Sequence, residues 1–364
     1  MIERVHLIAA ARPNFMKVAP LWHALAATDD FKPVLVHTGQ HYDANMSDDF
    51  FVDLRLPAPD VSLGIGSGSH AEQTGGVMIA YEKLALKDKP DWVVVVGDVN
   101  STAACALVAA KLGLRCVHLE AGLRSRDRAM PEEHNRMVTD VLCDVLWTPS
   151  SDADENLEGE GIPAERITRV GNIMLDSFEL VRPSIEAADA AASLGLAGKR
   201  YAVVTLHRPS NVDDPLELAK IVDALLLAQR QLPLVFPLHP RTKARLEDSD
   251  LLQKLVDSGM LLLDPQPYID FMSLVIHATA VITDSGGIQE ETTYLGIPCL
   301  TLRRNTERPI TITEGTNELA TAETLAANLE RALASPRSSR RRPDLWDGQT
   351  ARRCVDDLRR RSRQ

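Results

Sequence analysis

Carboxylates and histidines recur where apolar runs of the sequence end. Gly97-Asp98 follows the run 93–96, Glu120 follows 116–119, His207-Arg208 follows 201–205, and His239-Pro240-Arg241 follows 234–237. A further cluster, Pro131-Glu132-Glu133-His134-Asn135-Arg136, opens on a proline and two acids. Carboxylates that converge in a closed cleft repel one another and lose solvation, which raises their pKa values and makes them usable bases near neutral pH. Acids placed on both faces of a ring carbon can let a proton leave from one side and return on the other. Glu132 and Glu133 also read as first-turn acids of a helix that starts at Pro131. At most one of them points inward, and the local pattern favours Glu132.

The strongest local signal is Val281-Ile282-Thr283-Asp284-Ser285-Gly286-Gly287-Ile288-Gln289-Glu290-Glu291. A strand running through Ser-Gly-Gly into a helix aims unpaired backbone N–H groups and the positive end of a helix dipole at one spot, which suits a diphosphate. The alternative is an Asp or Ser helix cap, with the glycines easing the turn. Arg12, in Ala11-Arg12-Pro13-Asn14, stands at the corresponding edge of the first half and can offer a guanidinium fork to the same phosphates. Gln40-His41-Tyr42-Asp43 reads as a polar turn lining the cleft.

The elements that must position these residues follow from hydrophobic rhythm. Short apolar runs alternate with longer amphipathic stretches, the pattern of βα units around a parallel sheet. The expected strands are 4–9, 32–37, 92–96, 116–120 and 145–148, then 201–205, 234–236, 261–263, 280–283 and 299–302, with helices over 16–27, 71–85 and 102–112. The unbroken Val93-Val94-Val95-Val96 predicts a strand covered on both faces. In open α/β sheets ligands bind beyond the carboxyl ends of the strands, where the polar residues above fall. A linker is expected near 171–182.

Composition narrows the function. The chain has 364 residues, with Lys+Arg 40 against Asp+Glu 51 and a formal net charge of −11, which speaks against a general nucleic-acid binder. Aromatics at 4% leave little for stacking bases. Cys105, Cys116, Cys143, Cys299 and Cys354 are scattered and never spaced as Cys-x-x-Cys, so reduced, buried thiols are expected and no disulfide framework or zinc site. The histidines fall singly, so no metal site is expected. No apolar run reaches the roughly 18 residues of a membrane span. The run 5–11, ended by Arg12-Pro13-Asn14, reads as the first buried strand of a cytoplasmic protein. Residues 337–364 hold ten Arg against four Asp, an expected helix docked on the acidic first domain together with a mobile terminus.

Gly97-Asp98-Val99-Asn100-Ser101-Thr102, His118-Leu119-Glu120-Ala121-Gly122-Leu123-Arg124, Pro131 through Arg136, Thr205-Leu206-His207-Arg208 and Thr283 through Glu291, in this order, resemble the non-hydrolysing UDP-N-acetylglucosamine 2-epimerases. The likeness runs from Ala11-Arg12-Pro13 to Asp347-Gly348-Gln349. It implies an α/β fold of two Rossmann-like domains in a GT-B-like arrangement, with the active site in the interdomain cleft. The implied domains are 1–175, 176–345 for UDP binding, and a C-terminal helix and tail, 346–364, packing back on the first. It implies interconversion of UDP-GlcNAc and UDP-ManNAc through 2-acetamidoglucal, with Asp98, Glu120 and Glu132 as catalytic acids and His207 assisting the departing diphosphate. Arg12, Ser285, Gly286 and Gly287 are then expected on phosphates and Glu291 on the ribose hydroxyls. Gln40, His41, Arg136, Arg208, His239 and Arg308 are further expected substrate contacts. No cofactor is expected. The partners are a UDP-sugar and a second copy of the chain, with no nucleic acid or membrane.

Many family members carry Gly-Thr-Arg-Pro-Glu where this chain has Ala10-Ala11-Arg12-Pro13-Asn14, so altered contacts near the sugar or the phosphate are expected here. The stretches 205–211 and 41–48 resemble a subgroup distinct from the bacterial enzymes regulated by a second UDP-GlcNAc. Some relatives of this kind act on 2,3-diacetamido uronic acid nucleotides. A hydrolysing 2-epimerase, a GT-B glycosyltransferase and a UDP-sugar-binding regulatory protein are the other readings.

Overall fold

The computed structural model describes residues 2–39, 53–334 and 342–363, with Arg12 by its backbone alone. They gather into two compact units, Met1–Leu180 with Asp344–Gln364, and Val181–Pro343.

The first unit runs β1 (Glu3–Ala9), α1 (Arg12–Ala26), β2 (Phe31–His37), β3 (Val61–Ser62), α2 (His70–Asp88), β4 (Trp92–Val96), α3 (Asn100–Leu112), β5 (Arg115–Leu119), α4 (Pro131–Leu142), β6 (Val145–Thr148), α5 (Ser151–Gly159), β7 (Ile167–Arg169) and α6 (Ile173–Ala188). Its seven strands are ordered β3-β2-β1-β4-β5-β6-β7, every pair parallel. Val93 to Val96 are at most 1 % exposed, as a strand sandwiched between helix layers requires. Full burial of each such valine stabilises the fold by about 1.5–3 kcal/mol.

The second unit contains β8 (Ala202–Thr205), α7 (Pro215–Gln229), β9 (Leu234–Pro237), α8 (Pro240–Asp248), β10 (Leu261–Leu263), α9 (Tyr268–His277), β11 (Ala280–Thr283), α10 (Gly286–Leu295), β12 (Cys299–Leu302), β13 (Asn317–Ala320) and α11 (Leu325–Ala334). Its sheet order, β10-β9-β8-β11-β12-β13, repeats that of the first six strands of unit 1. Each sheet winds outward in both directions from a central pair, β1 and β4 in one, β8 and β11 in the other. The crevice beyond the carboxyl ends of such a pair is where doubly wound sheets bind ligands.

Three strands lie outside the apolar runs of the sequence: β3, β7 and β13. All are outermost in their sheets, short, and carry polar residues such as Ser62, Thr168 and Asn317. The expected linker over 171–182 is largely helical, since α6 begins at Ile173 and the unit boundary falls inside it. Gly171 has φ +96°, and an added Cβ would lie 2.3 Å from the Leu345 carbonyl oxygen, so the returning chain passes against a position only glycine can fill.

The last helix, α12 (Thr350–Ser362), belongs to unit 1. Asp176 on α6 caps it, accepting from the Thr350 N–H at 3.0 Å and the Ala351 N–H at 2.8 Å. Trp147 on β6 donates to Asp357 at 2.8 Å, and Trp346 donates to the Pro149 carbonyl at 2.9 Å. Part of the Arg-rich end is thus a docked helix; residues 335–341 lie outside the described residues.

Candidate active site

In unit 1 the strand ends β4 and β5 bring two acids together. Gly97 turns the chain with φ +67°, and a Cβ built on it would lie 3.3 Å from Lys17 Nζ and 3.7 Å from Glu120 Oε2. Glu120 therefore converges on the turn that presents Asp98. Its backbone has φ +71°, a left-handed conformation that strains any side chain but glycine and recurs at functional sites. The Glu120 carboxylate is nearly buried and pairs with Lys17. Asp98 is one-third exposed, and its Oδ2 accepts from both Arg136 Nε at 3.0 Å and Nη2 at 2.7 Å.

Glu132 and Glu133 take separate roles. Glu133 is 2 % exposed and accepts from the Ser125 and Arg126 N–H groups, each at 2.9 Å, from the Ser125 hydroxyl, and from Arg136 Nη1 at 2.6 Å. Burial opposes ionisation of Glu133, but these donors outweigh it and hold the carboxyl below its usual range. Glu132 is half-buried and has no hydrogen bond or ion pair among the described residues. Arg136, expected on the substrate, lies buried between Asp98 and Glu133 and acts on Asp98 directly.

Asn14 replaces the acid common in relatives and is spent inside the protein. Its Oδ1 accepts from the Ala11 N–H at 3.1 Å and its Nδ2 donates to the Val96 carbonyl at 3.1 Å, stitching the start of α1 to the end of β4. A carboxylate there would face that carbonyl without a hydrogen to offer. Lys17 went unnoticed in the sequence; its signal is a lone cation in the apolar run Phe15-Met16-Lys17-Val18-Ala19. The side chain of Arg12, and Gln40 and His41 altogether, lie outside the described residues.

In unit 2 the ends of β8 and β11 meet around Asp284. This fully buried carboxylate accepts from the His207 N–H at 3.0 Å, the Arg208 N–H at 2.9 Å and Asn211 Nδ2 at 3.1 Å, and stands 2.9 Å from His207 Nδ1. Burial raises its pKa, yet His207 and the two backbone N–H groups hold it below the carboxylate range. With Nδ1 directed to Asp284, the partly exposed His207 ring keeps Nε2 for other chemistry. His239 caps α8 by accepting the Arg241 N–H on Nδ1 at 3.2 Å, which puts its hydrogen on Nε2; its ring centroid is 5.7 Å from that of His207.

The helix-cap reading of Asp284-Ser285 is corrected here. Asp284 is engaged with β8, Ser285 makes no side-chain cap, and the first turn of α10 holds no acid. The Ser285 N–H goes to Thr283 Oγ1 at 2.9 Å, no side chain among the described residues caps the N–H groups of the first turn that follows, and the Glu307 carboxylate, itself paired with two arginines, stands beside Gly286. A Cβ on Gly286 would meet Glu307 Oε1 at 2.8 Å and Arg308 Nη1 at 3.0 Å, whereas one on Gly287 would enter open space. Arg308 pairs with Glu290 and Glu307, each at 2.7 Å, and Arg303 with Glu307 at 2.8 Å. Burial works against Glu307 ionising, but Arg308 and Arg303 push its pKa down to about 2. Arg208 donates to the Asp284 carbonyl at 3.0 Å; burial and neighbouring Arg303 lower its pKa. Glu291, 3 % exposed, accepts the Tyr268 hydroxyl at 2.6 Å. Burial lifts its pKa to about 7 despite that bond.

Doubly wound sheets with acids at one switch point and an uncapped Gly-Gly helix start at the other define an α/β protein built to handle a charged ligand. A family model described as UDP-N-acetylglucosamine 2-epimerase matches residues 23–359, and the chain belongs to that family. A UDP-N-acetylglucosamine 2-epimerase of Methanococcus maripaludis is 39% identical over 343 residues, 92% of this chain and 93% of the relative. A UDP-2,3-diacetamido-2,3-dideoxy-D-glucuronate 2-epimerase of Pseudomonas aeruginosa is 41% identical over 323 residues, 88% of each chain. The crystal structure of the Methanocaldococcus jannaschii UDP-GlcNAc 2-epimerase, in complex with UDP-GlcNAc and UDP, superposes with a TM-score of 0.84 at 39% identity, covering 98% of this chain and 99% of that one.

Proposed function

We propose that the protein interconverts UDP-GlcNAc and UDP-ManNAc by eliminating and re-adding UDP. The observation that carries this reading is the uncapped Gly286-Gly287 helix start beside the Asp284-oriented His207. No carbonyl acidifies the sugar's C2 hydrogen, so loss of UDP has to drive its removal, and stabilising the departing diphosphate matters as much as the base. An acid of unit 1 takes the C2 proton, the C2–H electrons form the C1=C2 bond of 2-acetamidoglucal, and the C1–O bond breaks with its electrons leaving on UDP. Gly286, Gly287, Ser285 and Arg12 hold the phosphates, His207 Nε2 hydrogen-bonds the leaving oxygen, and Glu291 receives the ribose hydroxyls. Re-addition reverses these steps after a second acid returns a proton to the opposite face. Asp98, Glu120 and Glu132 supply these acids, with Arg208, His239, Arg308, Gln40 and His41 as further contacts and Arg136 orienting Asp98.

UDP-GlcNAc incubated with the enzyme in heavy water is expected to gain deuterium at C2 and to equilibrate with UDP-ManNAc; epimerisation with the original C2 hydrogen retained would sink the mechanism. Stoichiometric accumulation of UDP and free sugar would instead indicate a hydrolysing enzyme. The Pseudomonas aeruginosa relative favours a second reading, a 2,3-diacetamido uronic acid nucleotide as substrate. A higher kcat/KM on that sugar than on UDP-GlcNAc would establish it. The same reading expects a cytoplasmic homodimer, to be checked by sedimentation; among the described residues no helix is long and apolar enough to cross a membrane.

A further inference from the structure

His118 lies on β5, two residues before Glu120, and is 0 % exposed. Both ring nitrogens have close partners: Nδ1 is 2.6 Å from Asp140 Oδ1 and Nε2 is 2.8 Å from the Gly97 carbonyl oxygen. A peptide carbonyl can only accept, so Nε2 carries a hydrogen. Asp140 accepts from Arg124 Nη1 at 2.8 Å and from the Gly122 N–H at 3.2 Å. The Arg124 guanidinium and the Gly122 N–H, both donating to Oδ2, keep it a carboxylate independently of His118. An ionised Asp140 also only accepts, so Nδ1 carries a hydrogen as well.

We propose that His118 is a buried imidazolium whose two N–H groups tie Asp140 on α4 to the Gly97 carbonyl, and that it is the positioning residue for Asp98 in the reaction proposed above. The charges around it balance. Asp140 faces it from α4, Arg124 comes from the chain after β5, and Glu160 at the end of α5 pairs with Arg124 at 2.7 Å. With His118 positive these four groups sum to zero. The Cys143 thiol, also near Asp140, stays neutral because burial pushes its pKa up.

The link to Asp98 is the peptide that joins it to Gly97. The Gly97 N–H donates to the Leu119 carbonyl at 3.1 Å and its C=O receives His118, so β5 pins this left-handed residue at both ends. Arg136 then fixes the Asp98 carboxylate from the other side. Releasing the Gly97 carbonyl frees the turn to rotate, and a displacement near 1 Å can reduce turnover by up to about 10²-fold.

The charge is read in the wild-type protein labelled with 15N in its histidine rings. At neutral pH the signals absent from His118→Gln should show two protonated nitrogens; one bare nitrogen overturns the proposal. Its kinetic consequence rests on the epimerase reading, the protonation state does not. In His118→Gln, kcat for C2 deuterium uptake should fall by about 10-fold or more with KM nearly unchanged, since Asp98 acts in the proton transfer and is not among the phosphate or ribose contacts. Unchanged kcat, or a rise in KM alone, overturns the positioning role. Should the variant not fold, the His118 ring signals are assigned in the wild-type protein by through-bond correlation to the backbone, and their protonation still decides. Absence of exchange in the wild type would remove the epimerase reading and leave the charge of His118 measurable.

Discussion

Glu132 and Glu133 are neighbours with opposite fates, and the difference is burial. Glu133→Gln should lower stability, because the amide cannot satisfy the Ser125, Arg126 and Arg136 donors together; breaking such a buried pair costs about 3–5 kcal/mol, readable in a urea melt. Glu132→Gln should leave the melt unchanged and reduce deuterium exchange. Asp98→Asn and His207→Ala should each lower kcat by about 10²-fold or more, and near-normal turnover in either would remove that residue from the chemistry. Asp98, Glu120 and His207 are legible in the sequence because each ends an apolar run. Their partners are not: Lys17 precedes Glu120 by 103 residues and Asp284 follows His207 by 77, and no local pattern encodes such pairs.

The start of α10 makes its own predictions. Gly286→Ala would drive a methyl group into Glu307 and Arg308, so UDP affinity measured by calorimetry should weaken by about 10-fold or more while the Gly287→Ala protein folds normally. Glu291, on the same helix, has its pKa lifted by burial from the ordinary glutamate value of 4.5 to about 7. The folded state therefore holds a proton that the unfolded chain has released, and stability falls as pH rises from 4.5 to 7. The difference amounts to roughly 3 kcal/mol, and Glu291→Gln should flatten that segment of the stability profile. Most of the strands were legible, β4, β6, β10, β11 and β12 with both ends, because each is a short, mostly apolar run. The outermost β3, β7 and β13 were not, since they exchange apolar residues for polar ones, whereas β10, also outermost, is the all-apolar Leu261-Leu262-Leu263.

At the scale of the whole chain, the Arg-rich end is a structural closure for unit 1. Asp176→Ala leaves the first two N–H groups of α12 without their acceptor and should cost about 1–3 kcal/mol in a denaturant melt. Ending the chain after Pro343 should do more, exposing Trp147 and the face that packs Cys354 and Leu358, and should leave unit 1 unable to melt cooperatively by calorimetry. The basic composition of this end was legible; which of its arginines face outward was not, because burial of Asp357 beneath Trp147 depends on a strand 210 residues earlier.

The return of the chain also sets an order of events on the ribosome. Val181–Pro343 is one uninterrupted stretch and has every strand of its sheet once it emerges. Unit 1 has all of its strands earlier but lacks its cover over Trp147 until synthesis has passed Ser362. The half of the protein made first is therefore the last to be finished, and a nascent chain stalled between the two should carry a protease-resistant second unit behind a first unit that is still cut.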